Sequence, residues 1–341
     1  MTDIVLVTGA TGFIAKHCIA ELLRQGYAVR GTARDPAKSA DNVKRAFARA
    51  DVNADAVEFV AADLLRDDGW EDAAKGCRYM FHVASPFPIT QPDNRDDLIR
   101  PAREGALRAM KAATKAGVER VVLTSSTVAV MYTGGRPAGY VYSEDDWTDH
   151  TRTDITPYIA SKTLAEQAAW DYVKTTKGAP QLAVINPGFV QGPALDPDLS
   201  TSLEVLHLMA KGAYPAAPRV EFPVVDVRDV AELHVKAMTQ AEAAGHRFLA
   251  TEGTASLYGI GKQLAVTLPD LARKVPKFEM PDMMVRALAV ADKRLRSVLP
   301  ELGTVRRCDN TKARTVLDHA FRTPDEAISA AAESLRKLKV I

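Results

Sequence analysis

The chain is poor in cysteine and nearly devoid of net charge. Its three cysteines, Cys18, Cys77 and Cys308, stand far apart in 341 residues. A sparse, odd set without metal-ligand spacing is neither a disulfide framework nor a metal site, and it fits a reducing compartment. Lys plus Arg number 44 and Asp plus Glu 43, a formal charge of +1. That balance gives no hint of a basic footprint for nucleic acid or of an attraction to acidic membranes. Long apolar runs are missing too. The longest uncharged stretch, 178–195, is broken by Pro180, Pro187 and Pro193 and by Gln181, Asn186 and Gln191, so it does not read as a membrane span. The start, Asp3 and then an apolar run interrupted by glycines, is unlike a signal peptide. A cytoplasmic location is expected. With 47% apolar residues there is ample surface to bury, which excludes disorder as the main state.

What is present is an alternation of two periods. Ile4–Val7 is a short continuous apolar run, as in a strand buried on both faces. A helical pattern from Phe13 to Gln25 stops at Gly26. Further strands are predicted at Tyr27–Ala33, Val57–Val60, Tyr79–Val83, Val121–Leu123 and Leu182–Ile185. Helices are predicted after Asp35-Pro36, over Arg95–Lys115 and over Pro157–Thr175. Strands alternating with helices imply right-handed βαβ units and a parallel sheet. The expected fold is α/β, a Rossmann-type doubly wound parallel sheet over 1–186, with a smaller, mostly helical C-terminal substrate domain. The segment 224–250 is expected to return to the main sheet through Val224–Asp229 and Phe248–Ala250. Segments 187–223 and 251–341 are assigned to the substrate side.

The first strand runs into Gly9-Ala10-Thr11-Gly12-Phe13-Ile14-Ala15. A glycine pair at this spacing is weak evidence alone. Between a buried strand and a helix, it reads as a phosphate loop. Gly9 allows the tight turn, Gly12 lets a pyrophosphate approach the helix N-terminus, and Ala15 lets the helix pack close. The second strand ends in Ala33-Arg34. A guanidinium there suits a 2′-phosphate, whereas an NAD site wants a carboxylate; Asp35, before Pro36, is read instead as a helix cap. NADPH is therefore favoured over NADH, with Lys38, Lys44 and Arg45 as further positive charges. Asp63 after the third strand is placed to accept from an adenine amino group. His82 lies in an apolar run and reads as a core histidine.

The chemistry-bearing group is Thr124-Ser125-Ser126-Thr127 at the end of the fifth strand, together with Tyr158 and Lys162. The last two are four residues apart on one helix face. Tyr-x-x-x-Lys alone is a frequent accident; one βα unit after a serine-ended fifth strand it is specific. Reduction of a carbonyl needs a proton donor for the developing alkoxide. Tyrosine ordinarily titrates near ~10, and a neighbouring cation is expected to lower it. Lys162 supplies that charge and a hold on ribose. Ser126 positions the carbonyl oxygen, with Ser125 as the other candidate for that role.

These stretches resemble the extended short-chain dehydrogenases/reductases, and within them the dihydroflavonol-reductase-like aldehyde and ketone reductases. The resemblance is carried by Val7–Ala15, Ala33–Pro36, His82-Val83-Ala84-Ser85-Pro86, Leu123–Ser126, Tyr158–Glu166 and Asn186–Pro193. It implies NADP(H) and Ser126, Tyr158 and Lys162 as catalytic residues. It implies cofactor contacts from Gly9, Thr11, Gly12, Phe13, Ile14, Arg34, Lys44, Asp63, Leu64, Val83, Ala84, Ser85 and Thr124. Pro187, Gly188, Phe189 and Val190 would lie against the nicotinamide. Asp226–Val230 is implied to be structural, and Asp309–Ala313 looks like the family's closing segment.

Three departures narrow the chemistry. The polar residue that plant flavonoid reductases carry a few positions after the serine is missing from the largely apolar Thr127-Val128-Ala129-Val130-Met131. The Asn-Trp-Tyr-Cys-Tyr-type segment of cinnamoyl-CoA reductases is absent around Tyr158, which disfavours a thioester. Val128 stands where nucleotide-sugar dehydratases place an acid. The expectation is NADPH-dependent reduction of an apolar or aromatic aldehyde or ketone, without a metal. Phe87, Met131, Phe189 and Tyr214 are candidate substrate contacts. The alternatives are an NAD(P)-retaining sugar-nucleotide epimerase, a hydroxysteroid-type dehydrogenase or a non-catalytic dinucleotide sensor. The partner is a small-molecule carbonyl, and both monomer and homodimer stay open.

Overall fold

The computed structural model describes residues 2–50, 52–86, 92, 94–290 and 298–341. The alternation predicted for the first half appears as β1 (Ile4–Val7), α1 (Phe13–Arg24), β2 (Ala28–Ala33), α2 (Pro36–Ala48), β3 (Val57–Ala61), α3 (Trp70–Ala74), β4 (Tyr79–His82), α4 (Asp96–Ala116) and β5 (Arg120–Thr124). A short β6 (Val141–Tyr142) precedes α5 (Pro157–Thr175), β7 (Gln181–Pro187) and β8 (Phe189–Gln191). The rest comprises α6 (Thr201–Ala210), β9 (Ala217–Pro218), β10 (Glu221–Asp226), α7 (Val227–Thr239), β11 (Arg247–Ala250), β12 (Thr254–Ser256) and α8 (Leu257–Thr267). It ends with β13 (Glu279–Met280), α9 (Asp282–Leu288), β14 (Arg307–Cys308), α10 (Thr311–Val316) and α11 (Pro324–Lys337).

Seven strands form one parallel sheet in the order β3-β2-β1-β4-β5-β7-β11. Alternate side chains go to opposite faces. Val5, Val7, Phe81 and Ile185 pack with α1, α2 and α7 on one face. Leu6, Met80, Val121 and Val184 pack with α3, α4 and Ala169 of α5 on the other. Both faces are thus covered, which is why these strands read as unbroken apolar runs. The order reverses between β1 and β4, and a ligand crevice is expected outside the C-terminal ends of these strands.

The returning segment divides. β11 joins the main sheet beside β7, with Arg247 opposite Val184 and Ala250 opposite Pro187. Val224–Asp229 does not return to it. Its first three residues belong to β10, which pairs parallel with β8 and antiparallel with β12, and the next three open α7. The physical reason lies at Gly188, between β7 and β8. A Cβ there would sit 2.3 Å from the Pro223 carbonyl oxygen, so glycine lets β10 cross close over the end of β7. Asp226 caps α7 by accepting from Arg228 N at 2.8 Å, the structural part expected of it. A second apolar cluster, built on Leu203, Leu206, Ile260, Leu264, Ala331 and Leu335, joins α6, α8 and α11 beyond that crossing. Among the described residues no helix is long and apolar enough to cross a membrane.

Candidate active site

The loop between β1 and α1 is held from both sides. Gly9 has φ +66°, a left-handed conformation, and a Cβ on it would lie 3.0 Å from Ala84 Cβ. Its N–H donates to Thr32 Oγ1 at 3.1 Å, and Ala10 N donates to the Thr32 carbonyl at 3.0 Å. On the β4 side, Thr8 Oγ1 accepts from Val83 N at 3.1 Å and Ala84 N at 3.0 Å. With both acceptor sites taken, its proton goes to His82 Nδ1, 3.0 Å away, so His82 carries its own proton on Nε2. His82 is 3% exposed and burial drives its pKa down to about 3. It is a neutral core histidine.

Gly12 is the N-cap of α1, no side chain caps the first turn, and no acid stands in it. The N–H groups of Phe13 and Ile14 and the positive end of the helix dipole therefore face outward uncompensated, a cradle that fits phosphate. Beside it, Thr11 lines a cleft of about 320 Å³ together with Arg45, Arg49, Asp196 and Asp198. Lys44 does not line it: one position before Arg45, it is turned by about 100° around α2. Arg34 is exposed at the end of β2 and has no hydrogen bond or ion pair among the described residues. Asp35, by contrast, is engaged, capping α2 through Lys38 N at 3.1 Å. Asp63 accepts from Leu65 N at 3.0 Å, and Arg108 holds the Leu64 carbonyl at 2.8 Å. Ser85 is partly buried and lines a small cavity with Ala84, Thr124 and Lys162.

The proposed chemical group converges at the C-terminal edge of β5. Helix α5 starts at Pro157, with the Thr156 side chain capping Ile159 N, so Tyr158 and Lys162 lie in its first two turns. Ser126 is the side chain that bears on the Tyr158 hydroxyl, opposing the rise that burial causes in its pKa. Ser126 is 8% exposed and also lies 3.4 Å from the Pro187 carbonyl and 3.3 Å from Val128 N. Lys162 Nζ donates to the Thr124 carbonyl at 3.4 Å. Thr124 Oγ1 is 2.7 Å from His234 Nε2, and His234 Nδ1 is 2.7 Å from the Val230 carbonyl. A carbonyl only accepts, so the histidine proton sits on Nδ1 and Thr124 donates to Nε2. Ser125 is engaged elsewhere: its hydroxyl donates to Glu166 Oε2 at 2.6 Å. Ser126, not Ser125, is thus the serine left to act beside the tyrosine.

One expectation is corrected. Tyr158 is not lowered; burial pushes its pKa up to about 12, and Ser126 opposes this only in part. The same dry surroundings pull Lys162 down to about 8, with Glu166 opposing. Loss of water on burial disfavours the charged form of each group, the phenolate of Tyr158 and the ammonium of Lys162.

The remaining candidates divide. Pro187 ends β7 facing Ser126, Gly188 N donates to the Ala250 carbonyl at 3.0 Å, and Val190 is buried beside Val225. Phe189 stacks on Phe222 with ring centroids 5.1 Å apart. Tyr214 packs against the α6/α8 cluster. Met131 is 5% exposed in a core cluster with Tyr142, Ile159 and Leu249, a packing position. Phe87 lies outside the described residues. The sequence reading overlooked Glu166, Asn186, Arg247 and His234. Glu166 had a local signal, four residues after Lys162 on the same helix; His234 and Arg247 reach the site only through tertiary folding.

The sequence model of the NAD dependent epimerase/dehydratase family matches residues 5–250. Cinnamoyl-CoA reductase CAD2 of Medicago truncatula is 36% identical over 253 residues, 72% of this chain and 76% of that protein. Ketoreductase azaE of Aspergillus niger is 32% identical over 97% of both chains. Among solved structures, the yeast methylglyoxal/isovaleraldehyde reductase Gre2, complexed with NADPH, superposes with a TM-score of 0.80. It is 26% identical, with 99% of this chain and 100% of that chain covered. With its glycine turn at the β1/β4 switch point, Ser126 just beyond β5, and Tyr158 and Lys162 on α5, the chain belongs to the NAD dependent epimerase/dehydratase family, among its dihydroflavonol-reductase-like reductases.

Proposed function

We propose that this protein reduces an aldehyde or ketone to the alcohol with NADPH. The observation that carries the reading is the gathering of Ser126, Tyr158 and Lys162 at the sheet edge, with Lys162 anchored on the Thr124 carbonyl and Ser125 turned away to Glu166. NADPH, when bound, supplies the hydride that the carbonyl carbon receives. The chain handles the rest. With a pKa near 12, Tyr158 is protonated at neutral pH and gives its hydroxyl proton to the carbonyl oxygen. Ser126 Oγ orients that oxygen. Lys162, charged below about pH 8, supports the developing phenolate and reaches toward ribose hydroxyls. The uncapped turn at Phe13 and Ile14 takes the pyrophosphate. The preference for NADPH rests on the exposed Arg34 and on Asp35 being used as a helix cap. Residues 1–186 with β11 would form the cofactor side, and the segments after Pro187 the substrate side. The apolar Val128 and the Phe189–Phe222 stack support an apolar or aromatic carbonyl.

The test is loss of NADPH absorbance, with NADH in parallel, over a panel of aromatic and aliphatic aldehydes, ketones and diketones, for wild type and Tyr158→Phe. Turnover preferring NADPH is expected, falling by about 10²-fold to 10⁴-fold in the variant, with NADPH affinity nearly unchanged. Wild-type rates in Tyr158→Phe would overturn the mechanism. Copurified cofactor without net reduction would point to an epimerase instead.

A further inference from the structure

Glu166 stands one turn beyond Lys162 on α5, is fully buried, and takes no step in the chemistry above. A buried carboxylate is costly unless donors and charge compensate it. Here they come from separate parts of the fold. Oε2 accepts from Ser125 Oγ at 2.6 Å and from Asn186 Nδ2 at 2.8 Å. Oε1 accepts from Arg247 Nε at 2.6 Å and from Trp170 Nε1 at 3.2 Å. Arg247 is itself fixed: its Nη1 donates to the carbonyls of Glu144 and Asp146, each at 2.9 Å, and its guanidinium lies 3.7 Å from the Trp147 ring centroid. Asn186 Nδ2 also donates to the Ser126 carbonyl at 3.2 Å. One carboxylate therefore ties the ends of β5, β7 and β11 to the helix that carries Tyr158 and Lys162.

Its charge faces the same place. Glu166 and Lys162 line one small cavity with His82 from β4, Thr124 and Ser125 from β5, and the uncharged Ala102 and Ala106 from α4. His82 is neutral, Tyr158 is protonated, and Arg247 of β11 stands behind Glu166. Among these described groups Glu166 is the anion, set against two cations.

We propose that Glu166 is a positioning residue for the reduction: its carboxylate locks the serine-bearing end of β5 to α5 and keeps Lys162 cationic across the working pH range. This rests on the reading of Tyr158 and Lys162 as the proton-handling pair. Burial alone pulls the Lys162 ammonium down, and Glu166 is the charge that opposes it.

The experiment compares Glu166→Gln and Glu166→Asp in the full chain. It records the pH profile of kcat for NADPH oxidation with the best carbonyl of the panel, KM for NADPH, and Tm. The glutamine variant keeps the shape and loses the charge, so its high-pH limb should move down by about one unit. The aspartate variant keeps the charge and loses reach, so its kcat should fall without a shift of the limb. A purely structural bolt would lower Tm and kcat in both and leave the limb in place. A Glu166→Gln limb superimposed on that of wild type overturns the proposal. Should that protein fail to fold, Arg247→Gln removes the competing cation and should move the limb up; an unmoved limb again overturns it. If wild type turns over no carbonyl, or Tyr158→Phe is fully active, the reductase reading itself fails. If wild type is active, Tyr158→Phe is dead and the Glu166→Gln limb is unmoved, only the part given to Glu166 fails.

Discussion

The adjacent serines at the end of β5 should respond to alanine in opposite ways. Ser125 donates a 2.6 Å hydrogen bond to the buried carboxylate of Glu166. Deleting a hydroxyl bonded to a charged group costs about 2 kcal/mol, equivalent to a Tm fall of about 3 °C in a protein of this size. Ser125→Ala should show that loss, with kcat reduced by less than about tenfold, since Asn186 and Arg247 still hold Glu166. Ser126 makes only long, neutral bonds, 3.4 Å to the Pro187 carbonyl and 3.3 Å from Val128 N. Ser126→Ala should therefore cost under about 1 kcal/mol of stability. Its turnover should fall by about 10²-fold to 10³-fold, as when one donor to a developing oxyanion is removed. The assay is NADPH oxidation at saturating carbonyl beside thermal unfolding of both variants. The reversed pattern, with Ser125→Ala inactive at unchanged Tm and Ser126→Ala near wild type, would refute the assignment of the two hydroxyls.

Two further predictions concern stability. In Gly188→Ala the new Cβ would lie 2.3 Å from the Pro223 carbonyl oxygen, so β10 must shift; a loss of about 1–3 kcal/mol is expected in urea unfolding, and unchanged stability would show that the crossing has slack. His82, His17 and His234 are buried neutral, with pKa values down to about 3, 4 and 4. The unfolded chain binds their protons near pH 6.5, so stability should fall as pH drops from there, by roughly 2 kcal/mol per histidine at pH 5. A stability curve flat from pH 7 to pH 5 would refute neutral burial.

Much of this site was legible locally. A buried strand, a glycine turn and an uncapped helix follow one another within 4–24, and helical spacing alone puts Tyr158 and Lys162 on one face. Asp35 before Pro36 announced its own cap. These features depend on neighbours in the chain, and the βα alternation that orders the sheet is a sum of such features. What tertiary structure decided were choices between like residues and effects of distance. Ser125 and Ser126 are equivalent on paper; only the arrival of Glu166, Asn186 and Arg247 commits one of them. Lys44 and Arg45 differ in sequence by one step, yet helix rotation puts only Arg45 on the cleft. Residues 224–229 carried a strand pattern, but which sheet received them depended on a glycine 36 positions earlier that admits a crossing carbonyl. The pKa of Tyr158 went against the sequence expectation because charge neighbours can be read from spacing, whereas loss of water depends on the whole fold closing over the site.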